Sequence, residues 1–167
     1  MLRTLDRIKA ADEAWLSDPE IFMVNRLDAH SDHMYYEDKD AMYGDEMPLR
    51  QSLNGTWKIN YAVNIEASDR DFYKEDRDAT LYDDIKVPGH MELQGFGRCQ
   101  YINTMYPWEG SEDLRPPHIP REDAPVGCYV RYFDINPELA GKRTFISFQG
   151  VENAFYLWIN GQFVGYA

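Results

Sequence analysis

The chain has 167 residues, of which 44% are hydrophobic and 14% aromatic, which is enough for one domain with a buried core. Its 29 acidic residues outnumber the 17 basic ones, and the resulting formal charge of −12 disfavours binding to nucleic acid or to an anionic membrane surface. The mean hydropathy is −0.60, and no apolar run approaches the roughly 18 residues of a membrane span. No apolar signal segment follows Met1, so we expect a soluble, cytoplasmic protein.

The chain contains only two cysteines, Cys99 and Cys128, and they lack the C-x-x-C spacing of a zinc or redox site. Two cysteines are too few for a disulfide-dense secreted scaffold. We therefore expect two reduced thiols, with a single bridge between them as the alternative.

Residues 1–50 are predicted to form an N-terminal arm. Near its start, apolar residues recur at roughly helical spacing: Leu5, Ile8, Ala11 and Trp15. Thr4 is a candidate N-cap for this short helix, and Pro19 should end it. The stretch 28–38 has no period, so it is expected to lie across another surface or to be disordered.

One group of metal-ligand residue types lies within the arm: Asp28, His30, Asp32 and His33. Carboxylate oxygens and imidazoles can together bind a cation. A polar arm whose histidines are solvated or hydrogen-bonded explains the same residues, and we favour that interpretation. No metal ion or other cofactor is therefore predicted in this chain.

Residues 51–167 are predicted to form an all-β sandwich. Short β-type segments with almost no helix are typical of that architecture, and they cover residues 55–61, 85–87, 129–135, 143–148, 154–159 and 162–166. Asn160-Gly161 predicts a type I′ turn between the last two strands. Between the earlier strands, residues 94–127 are irregular, and long loops of this kind are usually functional.

The aromatic part of this loop is the strongest candidate for a ligand site. Tyr101, Tyr106 and Trp108 surround Asn103, and aromatic faces with an amide suit the C–H face and the hydroxyls of a sugar. The alternative is that the rings only anchor the loop on the sandwich. No nucleophile elbow or phosphate-binding loop is present, and sequence gives no way to pair two of the acids, so no catalytic residue is predicted.

From Trp15 onward the chain resembles the N-terminal domain of glycoside hydrolase family 2 β-galactosidases, of the LacZ and LacL type. The resemblance rests on a series of motifs in order: Asn25-Arg26-Leu27-Asp28-Ala29-His30, Ser52-Leu53-Asn54-Gly55-Thr56-Trp57, Val87-Pro88-Gly89 with Gly95-Phe96, Tyr101-Ile102-Asn103-Thr104-Met105-Tyr106-Pro107, Pro125-Val126-Gly127-Cys128-Tyr129 and the closing hairpin 150–166. Phe96, Cys99 and Thr104 depart from the residues that the family commonly has there.

The resemblance implies a jelly-roll sandwich that binds sugar at 51–167 and an arm at 1–50 that packs on other domains or subunits. It implies hydrolysis of terminal β-D-galactosides with retention, by two glutamates on a later (β/α)₈ barrel beyond Ala167. The family's magnesium and sodium ions are bound mainly by residues downstream. Asn103 carries over as the loop residue that reaches the active site, with Tyr101, Tyr106 and Trp108 supporting the loop.

This interpretation gives the chain three partners: a β-galactoside in the parent enzyme, the downstream domains of the same chain, and further copies in a homo-oligomer. The chain alone is expected to be inactive. Two alternatives stay open, namely a non-catalytic carbohydrate-binding or structural module and the equivalent domain of a β-glucuronidase or β-mannosidase. Because the family's sandwich continues after Tyr166, we also expect the last strand to pair with a second copy rather than with the arm.

Overall fold

The computed structural model describes residues 7–28, 34–44, 47, 49–101, 103, 106, 109 and 112–167. Its strands are β1 Gly55–Ala62, β2 Asp83–Val87, β3 Val126–Val130, β4 Tyr156–Ile159 and β5 Gln162–Tyr166. Helical structure in the described ranges is limited to α1 Lys39–Tyr43 and three 3₁₀ turns, Glu13–Ser17, Glu92–Gln94 and Pro137–Leu139. None of these helices has the length and apolarity that crossing a membrane requires. The all-β prediction is confirmed, while the closure of a jelly roll stays a prediction.

The first sheet has the strand order β2-β1-β3 with antiparallel pairing throughout. Its apolar centre is formed by Ile59 on β1 and Ile85 on β2, which are the largest fully buried side chains of the described residues. Trp57 faces Ile85 across the β1–β2 ladder, and Ile59 faces Tyr129 across the β1–β3 ladder. The sheet therefore brings the two ends of the aromatic-rich loop, after β2 and before β3, to the same three-stranded unit.

The second sheet is the β4–β5 hairpin. Asn160 and Gly161 both have positive φ, at 48° and 71°, as the predicted turn requires. Asn160 is suited to this position because its short polar side chain tolerates the left-handed region better than most. The hairpin was thus correctly predicted from two residues and the alternation around them.

The arm packs against this hairpin. Val24 and Tyr166 form an antiparallel bridge, with the Val24 N–H donating to the Tyr166 carbonyl at 2.9 Å and the Tyr166 N–H donating back at 3.0 Å. A hydrophobic cluster, which we call the arm cluster, surrounds this bridge: Trp15, Val24 and Tyr166 are its buried members, and Leu16, Ile21, Tyr156 and Phe163 pack against them. The expectation that the arm leaves this strand uncovered is wrong at Val24. Self-association of the chain stays a prediction.

Three predicted elements differ from the structure. The arm helix is a single 3₁₀ turn, Glu13–Ser17, capped by the Asp12 side chain instead of Thr4, because the Asp12 carboxylate accepts the Ala14 N–H at 2.9 Å. Ile8 and Ala11 lie outside it, Thr4 and Leu5 lie outside the described residues, and the turn ends before Pro19 as predicted.

The strand predicted at 129–135 is instead β3, Val126–Val130, since pairing with β1 ends at Val130. Residues 143–148 are not a strand, and in the described part of the chain no strand pairs with them. Alternating apolar residues favour a strand, but the strand forms only where a neighbour supplies backbone partners.

Candidate functional site

The candidate site lies on residues 95–125, which connect the 3₁₀ turn Glu92–Gln94 to β3 and are called the aromatic loop below. Asn103 is exposed, and the exposed fractions of Tyr101 and Tyr106 are 91% and 66%. Trp108 lies outside the described residues. The loop therefore presents an amide and two phenol rings to the surroundings, the side-chain types that suit a sugar.

The loop begins at a polar clamp on β2. The Gln94 side-chain carbonyl accepts the Lys86 N–H at 2.8 Å, and its amide donates to the Lys86 carbonyl at 3.0 Å. A side chain thus replaces a neighbouring strand at the edge of the sheet. A Cβ on Gly89 would lie 2.7 Å from the Gln94 amide nitrogen, so glycine is needed there for the clamp to close.

Beyond the clamp, the chain turns at Gly95 and Gly97, whose φ values of 93° and 82° lie in the left-handed region that favours glycine. Phe96, between them, packs on Tyr61 of β1 with a ring-centroid distance of 6.4 Å. This contact fixes the first limb of the aromatic loop to the centre of the first sheet.

An ion pair joins the start of the aromatic loop to its end, and a carboxylate in the middle of the loop binds backbone N–H groups near that end. The Arg98 guanidinium pairs with the Asp123 carboxylate. The Glu112 carboxylate accepts the backbone N–H groups of Arg121, at 3.0 Å, and Glu122, at 3.1 Å. The hydrogen bond from the Arg121 N–H, aided by those from the next two residues, keeps the pKa of Glu112 below its usual value.

Beneath the first sheet, Asp69 forms a polar cluster with Arg77 and Tyr82. Burial raises the pKa of Asp69, but the hydrogen bonds from Tyr82, the Asp71 N–H and Arg77 outweigh it and leave the pKa below the usual value. Cys128 donates to the Asp69 carbonyl at 3.7 Å, and burial raises the pKa of this thiol to about 11. The cluster ties the 69–82 segment to the sheet, and sequence spacing carried no signal for it.

The rings of the arm cluster pack against one another and against the neighbouring rings of Trp158 and Tyr73. Trp15 stacks on Tyr156 with 6.0 Å between ring centroids, and Tyr156 stacks on Trp158 at 5.9 Å. Trp158 stacks on Tyr73 at 4.8 Å with an interplanar angle of 13°. Burial raises the pKa of Tyr156, whose hydroxyl donates to the Asp12 carbonyl at 2.9 Å. Because these rings cover one another, they form packing and not a sugar-binding face.

The other predicted residues are placed only in part. Asp28 is exposed, and His30, Asp32 and His33 lie outside the described residues. Within the described ranges, no three residues of His, Cys, Asp or Glu come together as metal ligands would. Cys99 is exposed and Cys128 is buried, and no bridge joins them in the structure. The reduced state of the two thiols stays a prediction.

An all-β chain whose sheets frame a long loop with exposed tyrosines and an asparagine fits a carbohydrate-binding class of domain. The family model for the sugar binding domain of the glycosyl hydrolases of family 2 matches residues 50–167. The chain therefore belongs to glycosyl hydrolase family 2 and contains its sugar binding domain.

Curated relatives agree with this family. Over 92% of the chain, the sequence is 56% identical to a β-galactosidase of Clostridium acetobutylicum and 55% identical to one of Halalkalibacterium halodurans. It is 46% identical to the β-galactosidase large subunit of Leuconostoc lactis over 94% of the chain. The chain spans only 17%, 15% and 27% of these three relatives.

Proposed function

We propose that this chain is the sugar binding domain of a β-galactosidase, which hydrolyses terminal β-D-galactosides with retention of configuration. The observation that carries the proposal is the 56% identity to a β-galactosidase across 92% of the chain. The relatives extend well beyond the matched region, which supports catalytic domains elsewhere in the whole protein. In this proposal, the chain alone is inactive because the two catalytic glutamates belong to another domain.

The role proposed for the domain is to supply a substrate-side loop. Asn103 would offer its amide to the sugar or to groups beside it, while Tyr101 and Tyr106 shape the surrounding surface. The exposure of all three residues supports this role, since a ring buried against the sheet could not face another domain or a ligand. The supporting role of Trp108 stays a prediction.

The finer properties of the whole protein are proposed with it. We propose a jelly-roll sandwich at 51–167 preceded by an arm at 1–50, and a cytoplasmic location. We also propose contacts with the downstream domains of the same chain and assembly into a homo-oligomer. The magnesium and sodium ions of the family are proposed to bind outside this chain.

The test compares three substrates on the purified whole protein: nitrophenyl β-galactoside, β-glucuronide and β-mannoside. Turnover of the galactoside at least about 100-fold above the other two is expected, since a sugar site discriminates by hydrogen bonds to individual hydroxyls. Preference for the glucuronide or the mannoside would overturn the proposed substrate, and the absence of turnover on all three would favour a binding module. The 167-residue chain, assayed in parallel, is expected to match a no-protein control.

A further inference from the structure

The outer edge of β2 is a surface that the proposed function does not use. Within the described part of the chain, β2 lies at the edge of the order β2-β1-β3 and has a neighbouring strand on one side only. Along an antiparallel strand, every second residue turns its backbone N–H and C=O away from its partner. Lys86 is one such residue, because both groups bind the Gln94 side chain instead of β1. An unpaired edge of this kind can accept a strand from another chain.

The same alternation makes Asp84 the other outward-facing residue of β2. On either side of these two residues, the edge offers little for pairing. Pro88 has no N–H to donate. At the other end, the Tyr82 N–H already donates to a backbone carbonyl at 3.1 Å, and the Tyr82 carbonyl accepts from the Lys58 ammonium at 3.1 Å. Addition of a strand therefore depends on Asp84 and Lys86.

These two residues are complementary to the same two residues of a second copy. If two β2 edges meet antiparallel about a two-fold axis at Ile85, Asp84 of each copy lies opposite Lys86 of the other. Each such pair would exchange two backbone hydrogen bonds, and a carboxylate would face an ammonium across the ladder. Both residues are exposed, and the Asp84 carboxylate also pairs with Lys58 at 2.8 Å. The edge thus carries matching charges as well as matching backbone groups.

Gln94 covers the residue on which both pairs depend. Its side-chain amide binds the Lys86 N–H at 2.8 Å and the Lys86 C=O at 3.0 Å, which are the two groups that a second strand would need. A third contact, from the amide to the His90 carbonyl at 3.4 Å, holds the side chain against the turn. Because each pair of the two-fold arrangement includes one Lys86, covering this residue removes both pairs.

We propose that the Gln94 side chain is an autoinhibitory contact, which keeps the β2 edge of one copy from pairing with the β2 edge of a second copy. The contact involves neither a sugar nor a catalytic domain, so the proposal is independent of the proposed function. It also assigns a role to Gly89, since a Cβ there would lie 2.7 Å from the Gln94 amide nitrogen and would displace the amide from Lys86.

The experiment measures sedimentation velocity and backbone hydrogen exchange of the purified whole protein over a range of concentrations. In dilute solution, Gln94→Ala should speed exchange at the Lys86 amide about tenfold, because this N–H loses its acceptor. As the concentration rises to about 100 µM, the variant should form a species larger than the wild-type one, and exchange at Asp84 and Lys86 should slow again. Gly89→Ala keeps the glutamine but displaces it, so it should act in the same direction and decides the question if Gln94→Ala does not fold.

A charge reversal and a matched glutamine supply the controls. Addition of Lys86→Glu to Gln94→Ala places two carboxylates opposite each other, so the double variant should return to the wild-type sedimentation. Gln149→Ala removes an amide that donates to the Ser147 hydroxyl at 2.8 Å, outside the described strands. It should change neither measurement.

Faster exchange at Lys86 without association of Gln94→Ala would overturn the proposal, because other groups would then keep the edge closed. Association that leaves the Asp84 and Lys86 amides unprotected, or that persists with Lys86→Glu, would also overturn it, since another surface would be responsible. Unchanged exchange at Lys86 in dilute Gln94→Ala would count equally against it, because the glutamine would then not cover the edge.

Discussion

The arm cluster and the aromatic loop are both rich in aromatic residues, yet they use them in opposite ways. In the arm cluster, Trp15 is only 8% exposed and its ring lies against Tyr156, Phe163 and Tyr166. In the loop, Tyr101 is 91% exposed. The difference follows from the backbone, because Val24 pairs with a strand edge and brings the arm's side chains onto the hairpin. In the loop, polar contacts of Arg98 with Asp123 and of Glu112 with the Arg121 N–H join distant residues, and Tyr101 stays exposed.

Aromatic content therefore does not by itself identify a binding surface. Rings bury where a neighbouring strand or ridge gives them apolar area to cover, and each buried ring then contributes to stability. A ring as exposed as that of Tyr101 covers little apolar area and contributes little to stability. The following substitutions test whether the two regions differ in this way.

The largest effect is expected for Trp15→Ala. Removal of this buried ring should lower the free energy of unfolding by about 3 kcal/mol or more, through lost burial and the cavity left behind. Urea denaturation of the chain measures it. The matched substitution in the loop, Tyr101→Ala, should stay within about 0.5 kcal/mol of wild type. Equal losses at the two positions would contradict the contrast.

Gly165→Ala tests the close approach between the arm and the hairpin. A Cβ at Gly165 would lie 2.8 Å from the Val24 carbonyl oxygen, which is backbone and must shift. We expect a loss of about 1–3 kcal/mol, as for other overpacked contacts, measured by thermal and urea unfolding. Gly150→Ala is the control, since a Cβ there meets no atom within 4 Å. A neutral Gly165→Ala would mean that the arm is not seated at this edge.

Asn103→Ala tests the opposite property, function without stability. The substitution should change the free energy of unfolding by less than about 0.5 kcal/mol, because the residue is exposed on the loop. In the whole protein, kcat/KM for a galactoside should fall about tenfold, which corresponds to one lost polar contact. Unchanged kinetics would mean that Asn103 has no role in substrate binding and that the loop is only structural.

The smallest effect concerns the two thiols, one in each kind of environment. Cys99 lies at the base of the loop and is exposed, whereas burial raises the pKa of Cys128 to about 11. At pH 8 a thiol reagent should therefore label one cysteine per native chain rapidly and the second only after unfolding. Rapid labelling of two thiols would show that the β3 region opens readily.

The β-hairpin, the strand at Gly55–Ala62, the family and the candidate Asn103 can all be predicted from the sequence alone. These conclusions rest on local rules, such as the turn chemistry of Asn160-Gly161, or on ordered motifs that need no knowledge of contacts. Three further features became clear only from the fold: β3 ends at Val130, residues 143–148 pair with no described strand, and Val24 pairs with Tyr166. The fold also showed that Glu112 binds the N–H groups at 121 and 122. Strand pairing, and hydrogen bonds from backbone N–H groups to a carboxylate, join residues that are far apart in the sequence. The hydrophobic periodicity of one segment does not show which distant segment will supply its hydrogen-bond partners.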